Sequence, residues 1–382
     1  MGPLSGIKVI ELAGIGPGPH CGMMLSDMGA EVIRINRTGG PAPGVQGAEI
    51  KDVLSRGRRT IAVDLKRPEG TELVLRFCEK ADALFEGFRP GVTERMGLGP
   101  DHCMARNPRL VYGRMTGWGQ TGSLRMVAGH DINYISLSGA LHAIGRKGDR
   151  PLPPLNLVGD FGGGGMLLAF GIVCGLVEAQ RSGKGQVVDA AMVDGSAALM
   201  AMFFGRLSDA RFSGERGTNL VDTGAHFYDS YETKDGQYIS VGSIEPQFYA
   251  ELIQKMGLDP VRYADQMDRN KWPEWKEEMI QVFKTKTRDE WCEIMLGSDV
   301  CFAPVLSMTE AVEHPLNKER GTFVTIDGLP QPAPAPRFSR TVPEIRHGIH
   351  TKGQDTVSVL TDYGYTKSEI DVLQKTGVIA VI

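Results

Sequence analysis

The sequence predicts an α/β fold, with a large domain built on a parallel sheet and a smaller α+β domain. Over residues 7–114, short β-branched apolar runs alternate with segments of helical periodicity, which is typical of a parallel sheet. Glycines follow the first run at the spacing Gly14-x-Gly16-x-Gly18, as in the first turn of a doubly wound, Rossmann-like domain. The 382 residues leave room for a second domain.

Strand and helix assignments follow these patterns in chain order. Strands are predicted at residues 7–12, 31–35, 60–63, 83–85, 110–114 and 186–190. Helices are predicted at residues 21–28, 68–79, 131–144, 163–180 and 193–207. Gly29 ends the first helix and Pro68 opens the second, which are positions that these residue types favour.

A polar, glycine-bearing segment at residues 210–225 precedes the second domain. There we predict a strand at 238–241 and helices around 247–256, 275–284 and 288–296. The proline-rich stretch 328–336 is typical of a returning linker, and residues 354–373 are again helical in pattern. The predicted organisation is a large domain at 1–190 completed by 330–382, a linker helix and loop at 191–225, a small domain at 226–320 and a return linker at 321–336.

Composition excludes several classes of protein. A net charge of −4 argues against general nucleic-acid binding. The uncharged stretch 161–177 holds six glycines, which favours a buried helix over a membrane span. The six cysteines form no C-x-x-C pair and have no histidine at metal-ligand spacing, which favours structural thiols in a reducing compartment. We expect a cytoplasmic protein that binds no metal, nucleic acid or membrane.

Positive charge is concentrated in residues 1–126, which hold 17 Lys/Arg and 13 Asp/Glu. Arg37, after the second predicted strand, suits a ribose phosphate, either the 2′-phosphate of NADP or the 3′-phosphate of coenzyme A. Pro17 and Pro19 remove N–H donors from the glycine loop and weaken the dinucleotide interpretation; a plain tight turn is the alternative. Further cations near predicted strand ends favour a polyphosphate as a set: Arg56, Arg58, Arg59, Lys66, Arg67, Arg89 and Arg95.

Two residues are candidate acid/base groups. His130 directly precedes a predicted helix, whose positive end keeps an imidazole neutral; taken alone, a helix cap explains it as well. Asp160 lies between an apolar run and four glycines. Four successive glycines weaken a helix start, so we favour a functional role for Asp160 over an N-cap.

Several segments together resemble the family III CoA-transferase superfamily, including its racemases of 2-methylacyl-CoA thioesters. They are VIELAGIGPGP, RRTIAVDLK, EGFRPGVTERMGLGP, GHDINYISLSG, PPLNLVGDFGGGG, RSGKGQVVDAAMVDG, VGSIEPQFY and NKERGTF. The resemblance implies that His130 and Asp160 are catalytic and that Glu245 supports the histidine. It implies contacts to coenzyme A and substrate at Arg37, Val63, Asp64, Leu65, Lys66, Gly87, Phe88, Arg89, Arg95, Gly129, Asp131, Ile132, Asn133 and Tyr134. It also implies an interlocked homodimer. Asn36 and Ile349 depart from the residues expected at their positions.

The implied reaction interconverts (2R)- and (2S)-2-methylacyl-CoA through an enolate, by two-base proton transfer. His130 and Asp160 would flank the α-carbon, and the N–H of Asp131 is a candidate donor to the enolate oxygen. No cofactor is implied, because coenzyme A is part of the substrate. The alternatives are a CoA-transferase forming an acyl-Asp160 anhydride, an NADP-dependent oxidoreductase, and a catalytically silent CoA-binding protein.

Overall fold

The structure, a computed structural model of the chain, describes residues 2–39 and 52–381. These residues divide into two compact units. The first comprises Met1–Ser138, Leu155–Leu199 and Gly321–Ile382, and the second comprises Gly139–Pro154 and Met200–Arg320. The sequence had assigned residues 139–154 to the large domain.

The strands and helices lie in close alternation along the first unit. The strands are β1 (Lys8–Leu12), β2 (Glu31–Asn36), β3 (Arg59–Val63), β4 (Ala83–Glu86), β5 (Val111–Thr116), β6 (Val187–Ala191), β7 (Tyr228–Glu232), β8 (Tyr238–Gly242), β9 (Phe302–Val305), β10 (Phe323–Ile326), β11 (Leu329–Pro332) and β12 (Ile379–Ala380). The helices are α1 (Pro17–Asp27), α2 (Pro68–Cys78), α3 (Val92–Arg95), α4 (Pro100–Arg106), α5 (Asp131–Leu137), α6 (Ala140–Ala143), α7 (Leu167–Ser182), α8 (Met192–Leu199), α9 (Ala201–Ser208), α10 (Pro246–Met256), α11 (Trp272–Phe283), α12 (Arg288–Met295), α13 (Met308–Glu313), α14 (Pro315–Arg320), α15 (Thr356–Asp362) and α16 (Lys367–Lys375).

The first unit is built on a sheet with the strand order β12-β3-β2-β1-β4-β5-β6. Strands β1 to β6 pair in parallel, and β12 is antiparallel to β3. The chain order reverses between β1 and β4. In open α/β sheets, ligands bind at this point, beyond the carboxyl ends of the strands. The predicted Rossmann-like parallel sheet is confirmed.

Both faces of this sheet are covered. Val9 and Ile10 are neighbours on β1, so their side chains point to opposite faces, yet they are 1% and 0% exposed. Val9 packs in a core with residues of α1 and α7, whereas Ile10 packs with residues of α2, α15 and α16. Burial on both faces explains why the strands are continuously apolar and short of polar alternation.

The second unit is α+β, as predicted. Strands β7, β8 and β9 form an antiparallel sheet in that order. Its core is rich in aromatic side chains from the sheet and from α11 and α12, including Phe227, Tyr231, Trp275, Phe283 and Trp291.

Three predicted elements were wrong in detail. The helix predicted at 131–144 is two helices, because Gly139 has a φ of 84° and so leaves the right-handed helical region. The helix predicted at 193–207 is divided at Met200 into α8 and α9. The return linker is not wholly irregular, since β10 and β11 pair in it as an antiparallel hairpin.

The glycine-rich helix begins earlier than predicted. Residues Leu157–Met166 form a π-helical segment that runs into α7. Asp160 therefore lies inside a helical segment and is not its cap. The glycines serve close packing, because a Cβ on Gly195 of α8 would overlap the carbonyl oxygen of Gly163.

Among the described residues, the stretch Leu157–Ser182 is long and apolar enough to cross a membrane by length and composition alone. A core helix of a soluble protein passes the same test. In the first unit, Leu168 and Ile172 are fully buried in the core beneath the sheet, while Phe170 and Val177 on the same helix are exposed.

Candidate active site

A cavity of about 630 Å³ lies beyond the carboxyl ends of β1, β4 and β5. This is the place where the strand order reverses. Its wall includes residues 14–18, 87–90, 115–118 and 127–130, with Tyr134, Asn156 and Asp160. The two predicted acid/base groups, His130 and Asp160, thus line one cavity although they are 30 positions apart in the sequence.

His130 stands at the N-terminus of α5, in extended backbone conformation. Its backbone N–H donates a hydrogen bond of 3.0 Å to Oδ1 of Asn133. The imidazole is exposed and makes no hydrogen bond within residues 2–39 and 52–381. The side chain that caps this helix is therefore that of Asn133, and the His130 ring is available to a ligand.

Asp160 is half-buried, and its carboxylate faces the same cavity. Burial raises the pKa of Asp160; the hydrogen bond from Asn156 and the nearby His130 lower it, and the negative charge of Asp131 raises it, with a net rise. Asn156 Nδ2 donates 3.0 Å to Oδ2 of Asp160. A raised pKa brings this carboxyl group closer to the range of an effective proton donor and acceptor at neutral pH.

The glycine loop approaches this carboxylate closely. Gly16 has a φ of 66°, and a Cβ on it would lie 3.2 Å from Oδ2 of Asp160. Arg34 braces the loop from β2, since its Nη2 donates 3.0 Å to the carbonyl oxygen of Gly14. The loop thus forms one wall of the acid/base site and need not be a phosphate cradle.

Asp131 is placed differently from the other predicted contacts. Its carboxylate is buried, and Oδ2 accepts a hydrogen bond of 2.7 Å from the backbone N–H of Asp160. Its own backbone N–H lies in the first turn of α5, where N–H groups have no intrahelical acceptor. Only that backbone group is oriented as the sequence analysis expected; the side chain connects two segments of the protein.

The predicted coenzyme A contacts are distributed over two cavities of the first unit. Gly87, Phe88, Arg89, Gly129 and Tyr134 line the first cavity. Leu65, Lys66 and Arg95 line a second one, of about 680 Å³, between the ends of β3 and α3. Both cavities are therefore bordered by cationic side chains, as a polyphosphate requires.

The remaining predicted contacts lie outside both cavities. Ile132 and Asn133 are exposed on α5, and Asp64 Oδ1 accepts a hydrogen bond of 3.1 Å from the N–H of Lys66. The side chain of Val63 is fully buried in the sheet core, so only its backbone could meet a ligand. Arg37 is exposed after β2, and its charge lies close enough to Lys352 to lower the pKa of that lysine in addition to the effect of burial.

The expectation of one large basic cluster was wrong. Arg56 and Arg58 are buried and paired with Asp27 at 2.6 Å and Glu11 at 3.0 Å. Arg59 pairs with Glu31 and Asp362 on the surface. These arginines connect elements of the fold, and their partners are too distant in sequence for any local pattern to indicate them.

Glu245 belongs to the second unit. It is exposed and immediately precedes Pro246, the first residue of α10, without a side-chain capping bond. Its carboxylate is thus not used by its own helix. Nothing in the second unit's own contacts assigns it a structural role.

Sequence reasoning missed Asn156 and Arg34. Asn156 lies four positions before Asp160, a spacing that joins side chains on one helix face, but this segment had not been predicted as helical. Arg34 contacts Gly14 because β1 and β2 are paired, which only the sheet reveals. Within the described ranges, no three His, Cys, Asp or Glu side chains cluster so as to hold a metal ion.

The fold and the cavity at its strand-order reversal define a protein of the CoA-transferase family III. The chain belongs to this family, whose model matches residues 4–356, and the predicted membership is confirmed. The chain is 47% identical over 371 residues to alpha-methylacyl-CoA racemase of Mus musculus, covering 96% of this chain and 95% of that protein. It is 43% identical over 381 residues to alpha-methylacyl-CoA racemase of Homo sapiens, covering 98% and 97%. The crystal structure of a CAIB/BAIF family protein from Brucella suis is similar with a TM-score of 0.80 and 25% identity, covering 95% of this chain and 99% of that one.

Proposed function

We propose that the protein is an isomerase that racemises 2-methyl-branched acyl-CoA thioesters. The observation that carries the proposal is the pair His130 and Asp160 on the wall of one cavity, in a chain that is 47% and 43% identical to two alpha-methylacyl-CoA racemases over almost its full length. Racemisation needs two groups on opposite sides of the α-carbon, one as base and one as acid. This cavity supplies such a pair.

In the proposed reaction, one of the two groups takes the α-proton, and the C–H electron pair forms the enolate. The other group then donates a proton to the opposite face of the α-carbon, which inverts it. The enolate oxygen would be bound by the backbone N–H of Asp131, and removing one such donor typically costs about 3–4 kcal/mol of barrier. The raised pKa of Asp160 makes its protonated form accessible as the acid.

Coenzyme A would supply the binding energy that positions the α-carbon. Lys66 and Arg95 in the second cavity and Arg89 in the first are proposed to bind its phosphate groups, and Arg37 its 3′-phosphate. No further cofactor takes part in the proposed steps, because coenzyme A is part of the substrate.

The leading alternative is a CoA-transferase in which Asp160 attacks the thioester and forms an anhydride. A transferase of that kind needs no second acid/base group, whereas here His130 faces the same cavity with its ring uncommitted. An oxidoreductase would need a nicotinamide cofactor and would change absorbance at 340 nm. The racemase remains the function that uses both residues.

The test is incubation of one pure 2-methylacyl-CoA enantiomer with the protein in D₂O. Configuration and α-deuterium content are followed together. The expected result is deuterium incorporation with a drift toward equal amounts of both enantiomers, from either starting material. Transfer of CoA to an added carboxylic acid without α-exchange would establish the transferase instead.

We also propose that the protein is an interlocked homodimer in the cytoplasm. Met166, Phe170 and Val177 are exposed at positions i, i+4 and i+11, which share one face of the helical stretch. An unpaired apolar stripe of this kind fits a second copy of the chain. All six cysteines are free thiols, as expected in a reducing compartment. Light scattering coupled to size exclusion is expected to give twice the chain mass.

A further inference from the structure

We propose that the Asp131 carboxylate is a positioning residue that holds the two acid/base groups at the separation needed for inversion. The inference rests on the proposed racemase function and adds to it a side chain with no chemical step of its own. It concerns the carboxylate of Asp131 and not the backbone N–H discussed above.

The first observation is the connection that this carboxylate makes. Asp131 is the residue after His130 and the first of α5. Its Oδ2 accepts the backbone N–H of Asp160, 29 positions away, at 2.7 Å. A single buried side chain therefore joins the helix that presents one acid/base group to the π-helical segment that presents the other.

The second observation is the space reserved for this carboxylate. A Cβ on Gly159 would overlap Oδ2 of Asp131 and lie 2.9 Å from its Cγ. Gly159 does not have a positive φ, so conformational freedom does not explain the glycine. The glycine is needed because the carboxylate occupies the place of its side chain.

The third observation is that this arrangement is costly for folding. Asp131 is 5% exposed, and its Oδ1 is buried without a hydrogen-bond partner among the described residues. A buried carboxylate oxygen without a partner destabilises a fold. Such groups concentrate where function requires them, and here the group adjoins both acid/base residues. Its negative charge also adds to burial in raising the pKa of Asp160, whose other charged neighbour is His130.

The test compares inversion with exchange at a single face. Inversion needs both groups at the α-carbon, whereas exchange of deuterium with retention needs only one. For Asp131→Ala we expect kcat for inversion to fall about 10–100-fold, since small misplacements of reacting groups cost this much. Exchange with retention is expected to fall less, so the ratio of retention exchange to inversion rises. KM for the acyl-CoA is expected to change less than about threefold, because the coenzyme A contacts are untouched.

Two further variants keep the test decisive. Asp131→Asn retains an oxygen that accepts the Asp160 N–H and is expected to restore most of the wild-type ratio. Gly159→Ala pushes a methyl group into the carboxylate's place and is expected to raise the ratio as Asp131→Ala does, even if that variant does not fold. Asp101→Ala, on the exposed surface of α4, is the matched control and is expected to behave as wild type.

The inference is overturned if folded Asp131→Ala or Gly159→Ala loses exchange and inversion equally, or retains the wild-type ratio. Its failure differs from failure of the proposed function. In the first case the wild-type protein still racemises its substrate, and in the second the wild-type protein itself shows no α-exchange from either enantiomer.

Discussion

Asn156 Nδ2 donates a hydrogen bond of 3.0 Å to Oδ2 of Asp160. Both residues lie in the same helical segment or at its start, one turn apart. The amide stabilises the ionised carboxylate and lowers the pKa that burial raises. The protonation state of Asp160 is therefore set by a neighbour that carries no charge.

Asn156→Ala removes this hydrogen bond, so we expect the pKa of Asp160 to rise further. A base with a higher pKa is lost earlier on acidification, so the acidic limb of the kcat/KM profile is expected to move to higher pH. Profiles for each enantiomer measure the shift, with Asn270→Ala on the exposed surface as control. An unchanged limb would show that Asn156 does not act on the ionisation of Asp160.

Asp160→Asn and His130→Ala are expected to abolish full racemisation, because inversion needs both groups. Loss of one acid/base group typically costs about 10²–10⁴-fold. Each variant is expected to lose exchange from one enantiomer more than from the other, and the two variants are expected to favour opposite enantiomers. Exchange in D₂O measures this for each enantiomer. Full racemase activity in Asp160→Asn would rule out the two-base mechanism.

Glu245→Gln is expected to be milder than His130→Ala, because we propose that Glu245 only orients or tunes the histidine. Removing its negative charge withdraws stabilisation from the imidazolium, so the pH–rate profile is expected to shift. The measurement is α-exchange against pH, with Glu251→Gln on α10 as a surface control. A profile identical to wild type would remove Glu245 from the site.

Arg37→Ala is expected to weaken substrate binding more than it slows the chemical step, since a distant phosphate contact mainly anchors the ligand. A lost charged hydrogen bond costs about 1.5–3 kcal/mol. With a substrate that lacks the 3′-phosphate, the substitution should be nearly silent. Arg109→Ala, before the amino end of β5, is the control. An equal loss with both substrates would show that Arg37 does not contact the 3′-phosphate.

Glu86 and Glu94 share Arg114, whose guanidinium bonds their carboxylates at 3.2 and 2.8 Å, and they predict opposite dependences of stability on pH. Burial raises the pKa of Glu86 to about 7 from an ordinary 4.5, although Phe88 N–H and Arg114 act against it. The stability it contributes is therefore present below its unfolded pKa and is lost as pH rises through about 7. The difference in unfolding free energy between wild type and Glu86→Gln is expected to fall by on the order of 3 kcal/mol across this window.

Glu94 provides the matched comparison for this measurement. Its burial is slight and is outweighed by the hydrogen bond from Arg114, so the pKa of Glu94 is lowered. Its contribution is present above its ordinary pKa and is lost as pH falls. Urea unfolding from pH 4 to 8 for wild type, Glu86→Gln and Glu94→Gln measures both trends. Parallel curves for the two variants would contradict the assignment.

Local pattern was sufficient for the elements and for the two acid/base candidates. The strand–helix alternation placed β1 to β6 within one or two residues, because alternating burial is written in short-range periodicity. His130 was found because GHDINY precedes a helix, and Asp160 because it stands beside four glycines. The break at Gly139 could not be found, since a glycine inside an apolar helical pattern is compatible with a continuous helix.

The sequence by itself determined the order of strands and helices, the family, and the residues that can move protons. Only the tertiary structure decided which charges serve the fold and which face a ligand. Arg58 and Arg89 are both arginines near strand ends, yet one is buried against Glu11 while the other lines the cavity. The bond from Asp160 to Asp131 was likewise invisible. The physical reason is that such pairings depend on which strands become neighbours, and periodicity along a chain carries no information about contacts across a sheet.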